Sequence, residues 1–296
     1  MKKLLIIFII LIVSSFNKGD CGVTVRSTGN ATINSTYIST PIQVNVTTLL
    51  ALLLTIKIKA LDEYITNTSD PNYKIPVSQL YLNDGTNEFQ MNYNTQVTTI
   101  FNLEITILGH IENYNCTIKN IGVLPPGTYT TRLQVDTNTP LTPDSTVYNL
   151  SFTVPYTQEI STVTNPVNIT LTPANVFEHN AIVDNATTSQ INIKSNGKWK
   201  LIMNTSGLGT LPANYYFLIT GASSNVTNYI SSETQILPNQ QYELARGNAT
   251  VTTPVSGTYT TDFINLKYRL KNNTGTYMNE GSYNNYATFT IQQGDN

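Results

Sequence analysis

The sequence predicts an all-β protein made of two tandem antiparallel β-sandwiches behind a cleaved signal peptide. Three observations predict this architecture: short runs in which apolar and polar residues alternate, an ordered set of similar segments in the two halves of the chain, and an apolar N-terminal stretch. The chain has 296 residues, of which 40% are hydrophobic and 11% are charged. This composition is too apolar for a disordered chain, and the length suffices for two domains with cores of their own.

The N-terminal stretch has the features of a secretory leader. Two lysines precede an unbroken apolar run from Leu4 to Val13, which is about half the roughly 20 residues that a membrane-spanning helix needs. We therefore expect residues 1–19 to be a signal peptide, cleaved after Ser15 or Gly19, and no membrane span in the mature chain. Such a leader predicts a secreted or cell-surface protein, with the periplasm as the alternative compartment.

Export also determines how the two cysteines are interpreted. Cys21 and Cys116 are the only cysteines in the chain, and an isolated pair in an oxidising compartment most simply forms one disulfide. We expect a disulfide between them that ties the leading segment to the first sandwich. On the chain-entropy argument, closing so long a loop stabilises a fold by roughly 4–5 kcal/mol. Two unrelated free thiols are the alternative.

Strand patterns fill most of the chain, whereas helical periodicity is nearly absent. Runs rich in Val, Ile, Thr, Tyr and Phe are separated by Asn, Gly, Pro and Ser, which is typical of short strands and turns. In one run Ile56 and Ile58 alternate with Lys57 and Lys59, so we expect the isoleucines in a core and the lysines in water. The same alternation around Trp199, the only tryptophan, predicts that its indole is buried.

Several segments of the first half return in the same order in the second half. Such order predicts two copies of one domain, which we place at residues 20–160 and 161–296. Each copy has the length and strand content of a β-sandwich. Among the matching pairs are Gly127–Thr131 with Gly257–Thr261, Ile56–Lys59 with Ile191–Lys194, and Pro41–Thr47 with Pro166–Thr172.

Two of these segments resemble motifs of a known group of proteins. The turn and strand that begin at Pro125 resemble the Pro-Ala-Gly-x-Tyr motif of bacterial secreted pilin-like sandwiches, including the spore coat protein U group. Ser195–Trp199 resembles the Ser-Asn-x-x-Trp segment of related surface domains, although the first half has no matching tryptophan. The resemblance implies immunoglobulin-like or pilin-like sandwiches. It also implies a structural or adhesive surface protein and not an enzyme.

The sequence contains no recognisable arrangement of catalytic residues. The chain has only two histidines and no Gly-x-Ser-x-Gly or phosphate-loop motif, so we expect no enzyme activity, no catalytic residue, no metal and no cofactor. Asn83–Glu88 offers several oxygen donors, but its Asn-Asp-Gly order favours a hairpin turn, and calcium binding there is left open. A net charge of −2 gives no basic surface for nucleic acid.

Exposed tyrosines are the candidate contact residues, because tyrosine is favoured in contacts with proteins and glycans. We expect an exported structural or adhesive cell-surface protein, of which an appendage component is one form, with other surface or appendage proteins or glycans as partners. A stand-alone carbohydrate-binding module and a periplasmic assembly chaperone are the alternatives. The candidate surface-contact residues are Tyr215, Tyr216, Tyr283 and Tyr286.

Overall fold

The protein is all β in the part of the chain that the structure describes. A computed structural model describes residues 22–34, 36–47, 54–100, 109–138, 144–163, 167–172, 181–185, 188–205, 215–271 and 286–295. Within these ranges there are 22 β-strands, a single 3-10 turn and no α-helix, which confirms the predicted fold class. The predicted signal peptide lies outside the described residues. No helix in the described ranges is long and apolar enough to cross a membrane.

The chain divides into two compact units. The first consists of Met1–Gly122 and Gly127–Val154, and the second of Val123–Pro126 and Pro155–Asn296. The boundary that we predicted between residues 160 and 161 therefore differs from the observed one. The second unit begins at Pro155, and it also takes in a short segment from the middle of the first half.

Two antiparallel sheets form the first unit. One has the order β1-β3-β10-β7-β8, with β2 beside β3, and the other has the order β6-β5-β11-β4-β9, with β12 beside β11. A 3-10 turn at Val77–Gln79 precedes β7. The strands are β1 Gly22–Ser27, β2 Thr32–Ile33, β3 Tyr37–Thr47, β4 Thr55–Ala60, β5 Tyr64–Asn67, β6 Lys74–Pro76, β7 Leu80–Asn83, β8 Glu88–Gln90, β9 Gln96–Ile100, β10 His110–Lys119, β11 Gly127–Asn138 and β12 Asp144–Val154.

The core of the first unit follows from alternation along these strands. Alternate residues of β3, from Ile38 to Val46, are buried, and the residues between them are half-buried. On β4, Ile56 and Ile58 are buried and the two lysines beside them are not, as we predicted. Burying one face of each strand while the other meets water is the arrangement that a sandwich requires.

The second unit is built from a six-stranded and a four-stranded sheet. The larger has the order β13-β15-β21-β17-β19, with β14 beside β21, and the smaller has the order β18-β20-β16-β22. The strands are β13 Gln158–Thr162, β14 Ile182–Asp184, β15 Ser189–Ser195, β16 Trp199–Asn204, β17 Tyr215–Ala222, β18 Val226–Tyr229, β19 Thr234–Gln235, β20 Gln241–Gly247, β21 Asp262–Lys271 and β22 Thr288–Gln293.

Trp199 lies in the core of the second unit, as its sequence context predicts. Its side chain is completely buried and belongs to one apolar cluster with Leu201, Phe217 and Ile264, among others. It occupies the first position of β16, where the alternation of buried and half-buried residues turns it inward. The tryptophan is therefore a packing residue and not an exposed platform for sugar stacking.

The two units share one strand pairing and differ in others. Strand β4 pairs with β11, with Ile58 opposite Val135, and β15 pairs with β21, with Ile191 opposite Ile264. The sequences of β4 and β15 match between the two halves, and Gly127–Thr131 at the start of β11 matches Gly257–Thr261, directly before β21. However, β12, the last strand of the first unit, pairs with β11, whereas β22, the last strand of the second unit, pairs with β16. The described residues 167–172, which match part of β3, form no strand.

Candidate functional site

A polar groove lies on the first unit where β7 ends. Strand β3 pairs with β10 along His110–Lys119, and β7 pairs with β10 from Asn115 to Ile118. Beside the end of the β7 pairing, β10 and the hairpin that follows β7 line a cavity of about 300 Å³. Its lining comes from β3, from β10, from the residue after β1 and from the hairpin; the groove residues are Thr28, Pro41, Ile42, Asn83–Gly85 and Glu112–Asn115.

Side-chain amides give the groove much of its hydrogen-bonding capacity. Asn113 and Asn115 are exposed on the outer face of β10, opposite Gln43 and Pro41 of β3. The Gln43 Nε2 group donates to Asn113 Oδ1 at 3.0 Å, and Arg26 donates through Nε and Nη2 to Gln43 Oε1 at 3.1 and 2.7 Å. This chain of bonds fixes the orientation of the Asn113 amide and leaves its Nδ2 group available as a donor.

The groove is also acidic. Asp84 and Glu112 belong to its lining, which includes no lysine or arginine. The Glu112 side chain shares the inner face of β10 with His110, so Asp84 is the carboxylate on the side of Asn113 and Asn115. Burial acts to raise the pKa of Asp84, but hydrogen bonds from the backbone N–H groups of Asn87 and Thr86 outweigh it, so the pKa lies below its ordinary value. Asp84 therefore stays ionised at neutral pH, and the groove combines amide donors with fixed carboxylate acceptors.

The hairpin that borders the groove is held by hydrogen bonds among its own residues. Gly85 has a φ of 92°, a left-handed conformation that glycine adopts without strain. The Asn83 Oδ1 atom accepts from the N–H of Gly85 at 2.7 Å, and Asp84 Oδ1 accepts from those of Thr86 and Asn87 at 2.9 and 2.6 Å. The oxygens that raised the question of calcium at Asn83–Glu88 thus hold the turn together, which supports the hairpin interpretation.

The three candidate tyrosines that the structure describes lie on or next to strands of two different sheets. Tyr215 is half-buried and packs against the core of the second unit, while Tyr216 lies under the Lys271 ammonium, 4.9 Å from its ring centre. Both belong to β17 of the larger sheet. Tyr286 is 75% exposed and precedes β22 of the smaller sheet, and Tyr283 lies outside the described residues. Among those described, Tyr286 presents the most accessible ring of the four.

The predicted disulfide between Cys21 and Cys116 is not found. Cys116 is a free and buried thiol, and burial raises its pKa to about 12, while Cys21 lies outside the described residues. The strand register gives the physical reason. Cys116 is opposite Thr40 on β3, whereas Gly22 is opposite Thr47, about 23 Å further along an extended strand. A disulfide requires Cα atoms within about 7 Å, so β1 would have to leave β3 before the bond could form.

The second unit carries an ion-pair network that the sequence does not predict. Asp184 accepts from Arg269 Nε at 2.6 Å and from Lys267 Nζ at 2.7 Å, and Glu233 accepts from Arg269 Nη1 at 2.9 Å and from Lys271. The three cations occupy every second position of β21 and so lie on one face of the strand. This period-2 spacing is visible in the sequence. Their acidic partners come from distant segments, which no local pattern predicts.

The described residues form no recognisable metal centre. No group of three or more His, Cys, Asp or Glu side chains in these ranges could hold a metal ion. His110 Nε2 lies 3.2 Å from Glu112 Oε2, two residues away on the same face of β10. His179, the other histidine, lies outside the described residues.

Comparisons with known proteins leave the family open. No protein-family model and no curated protein match the chain. The crystal structure of the CupB6 tip adhesin of Pseudomonas aeruginosa matches over 93% of this chain and 94% of that one, at 10% identity and a TM-score of 0.39. A chaperone–tip adhesin complex of CFA/I fimbriae matches over 94% and 81%, at 12% identity and a TM-score of 0.29. The major pilin SpaD of Corynebacterium diphtheriae matches over 81% and 55%, at 8% identity and a TM-score of 0.24. TM-scores below 0.5 assign neither a family nor a function to this chain.

Proposed function

We propose that this chain is an exported surface protein whose first unit adheres to polyhydroxylated ligands, glycans above all, through the groove at the end of β7. The observation that carries the proposal is the convergence of amide donors and carboxylate acceptors on one cavity. Sugar hydroxyls donate and accept hydrogen bonds at once, so they match a lining that contains the amides of Asn83, Asn113 and Asn115 and the carboxylate of Asp84.

The charge of the groove narrows the ligand class. The lining contains the ionised Asp84 carboxylate and no lysine or arginine, which disfavours anionic sugars and phosphate groups and favours neutral or amine-bearing sugars. The same feature argues against an assembly chaperone that anchors a client by its C-terminal carboxylate, because such an anchor needs a cation at the site. Export is the expectation from the predicted leader at residues 1–19, and placement in a surface appendage is one setting for such an adhesin.

A glycan array probed with the full mature protein tests this function. The protein is made in a host without N-glycosylation, because Asn115–Thr117 is itself a glycan acceptor sequence. We expect binding to neutral or amine-bearing glycans, weakened about tenfold by Asn113→Ala combined with Asn115→Ala, since each lost hydrogen bond contributes roughly 0.5–1.5 kcal/mol. Electron microscopy of labelled cells then shows whether the protein lies in an appendage.

The control is Asn149→Ala, which removes an exposed amide from β12 on the other sheet of the same unit. It should leave glycan binding unchanged. Binding that the groove variants and the control reduce equally, or the absence of any glycan ligand, would refute the proposal and leave a purely structural role.

A further inference from the structure

The segment between β10 and β11 is built into the second unit. The Val123 N–H donates to the Gly257 carbonyl at 2.9 Å, and the Val123 carbonyl accepts from the Val255 N–H at 3.1 Å. Leu124, the next residue, is buried. We call the group formed around this segment the clasp; it consists of residues 123–126, 155–157, 196–197 and 255–257, all of which belong to the second unit.

Asn196 lies at the centre of the clasp. Its Nδ2 group donates to the carbonyls of Leu124 at 3.0 Å and Pro155 at 2.9 Å, and its Oδ1 atom accepts from the Thr157 N–H at 2.8 Å. The residue is only 3% exposed. Since these bonds need two donors and an acceptor on one planar group, a primary amide satisfies them, whereas a carboxylate offers acceptors alone.

The next residue makes this amide chemically vulnerable. Asn196 and Gly197 form the only Asn-Gly pair in the chain. Without a side chain, a glycine leaves its backbone nitrogen unhindered for attack on the asparagine Cγ atom. In the folded protein this attack is restrained on both sides, because the amide is held by its three bonds and the Gly197 N–H donates to Ser195 Oγ at 3.2 Å.

We propose that Asn196 is a masked deamidation site that reacts only when the clasp opens. The Gly197 nitrogen forms a bond to Asn196 Cγ, and the Cγ–Nδ2 bond breaks. Ammonia leaves and carries away the proton that the Gly197 nitrogen loses. Water then opens the cyclic imide to an aspartate or an isoaspartate. The reaction needs no reagent besides water.

The product cannot close the clasp again in the original way. A carboxylate at residue 196 has no donor for the Leu124 and Pro155 carbonyls, and it would bury a charge against two oxygens of partial negative charge. Each opening that lasts long enough for the reaction would therefore leave an aspartate or isoaspartate at residue 196. This inference is independent of the ligand of the groove.

Peptide mapping by mass spectrometry of the full mature protein tests the proposal. The protein is incubated in mildly alkaline buffer, once folded and once in urea, and the peptide that carries Asn196 is followed for the mass increase of amide loss. We expect deamidation to be about tenfold or more slower in the folded protein, because opening must precede ring closure.

Two variants locate the protection in the clasp. Leu124→Ala removes a buried side chain of the inserted segment without changing the Asn-Gly pair, and it should accelerate deamidation in the folded protein several-fold. The control Leu80→Ala, at a fully buried position of the first unit, should leave the rate unchanged.

Equal rates for the folded and the unfolded wild-type protein would overturn the proposal, as would equal acceleration by the two variants. Should Leu124→Ala fail to fold, the wild-type comparison decides alone.

Discussion

Replacing Gly247 by alanine should destabilise the second unit specifically. Gly247 is opposite Trp199 in the pairing of β20 with β16, and the face of the indole occupies the space where a side chain would begin. A Cβ atom at residue 247 would lie 2.3 Å from Trp199 Cζ2 and 2.5 Å from Cε2. Contacts this short force either the indole or the strand to move, and the fully buried indole has no open space to enter.

The expected loss follows from two opposing effects. Overpacking a well-filled core typically costs about 1–3 kcal/mol, while exchanging glycine for alanine restricts the unfolded chain and returns about 0.4–1 kcal/mol. We expect a net loss of stability of about 1–2 kcal/mol, with a midpoint lower by about 0.5–1 M urea. The emission of Trp199, the only tryptophan, measures the second unit alone.

Gly221→Ala is the matched control in the same unit. Gly221 also lies in a strand, β17, but an added Cβ atom would meet only Asn265 Nδ2, at an ordinary 3.4 Å. We expect its stability to change by less than about 1 kcal/mol in either direction. An unchanged urea midpoint for Gly247→Ala, or equal shifts for the two glycines, would refute the packing argument.

Two further predictions concern ionisable groups. Hydrogen bonds from Arg269, outweighing the effect of burial, lower the pKa of Asp184 from 3.8 to about 2, so its contribution to stability is complete above pH 4 and is lost as the pH falls towards 2. We expect that contribution to be about 1 kcal/mol after solvent screening. In urea melts the wild-type protein should lose this stability at acidic pH, whereas the Asp184→Asn variant should not. Identical pH profiles of stability for the two proteins would contradict the prediction. Cys116 should resist alkylation until the first unit unfolds, and a reducing agent should leave the unfolding midpoint of that unit unchanged. A lower midpoint on reduction would instead show that Cys116 forms a disulfide.

Alternation along single strands could be predicted from the sequence because it is a local property. Ile56 and Ile58 face the core, and Trp199 is buried, for the reason that adjacent side chains of a strand point to opposite faces. The hairpin at Asn83–Glu88 was equally predictable, since its side chains bond to backbone groups only two or three residues away.

The domain boundary could not be predicted in this way. Strand β13 is an edge strand with β15 as its partner, and most of its residues are exposed on both faces, so it shows no alternation and has the polar composition of a linker. Only Ile160 packs against the core. The inclusion of Val123–Pro126 depends on contacts with residues far along the chain, which no local pattern contains.

The structure does not show the candidate disulfide, and whether it can form depends on information that is likewise not local. Counting cysteines in an exported chain gives the number of pairs that can form, but strand register decides which cysteines can meet. Cys116 alternates with Asn115 along β10 and faces the core, so its sulfur replaces an apolar side chain between the sheets. A small buried thiol packs much as an alanine or valine does.

The sequence of a single strand reveals little of the groove. The sequence does show polar residues on the outer positions of β10, Asn113 and Asn115, but it does not show that β7 stops short beside them. The cavity lies where the pairing of β7 with β10 ends at Asn115 and the hairpin at Asp84 begins. Only 11% of the residues are charged, so the glycan recognition proposed for this surface would depend on placed hydrogen-bonding groups more than on long-range attraction. Contacts of this kind persist at physiological salt, which screens exposed charges beyond about 8 Å.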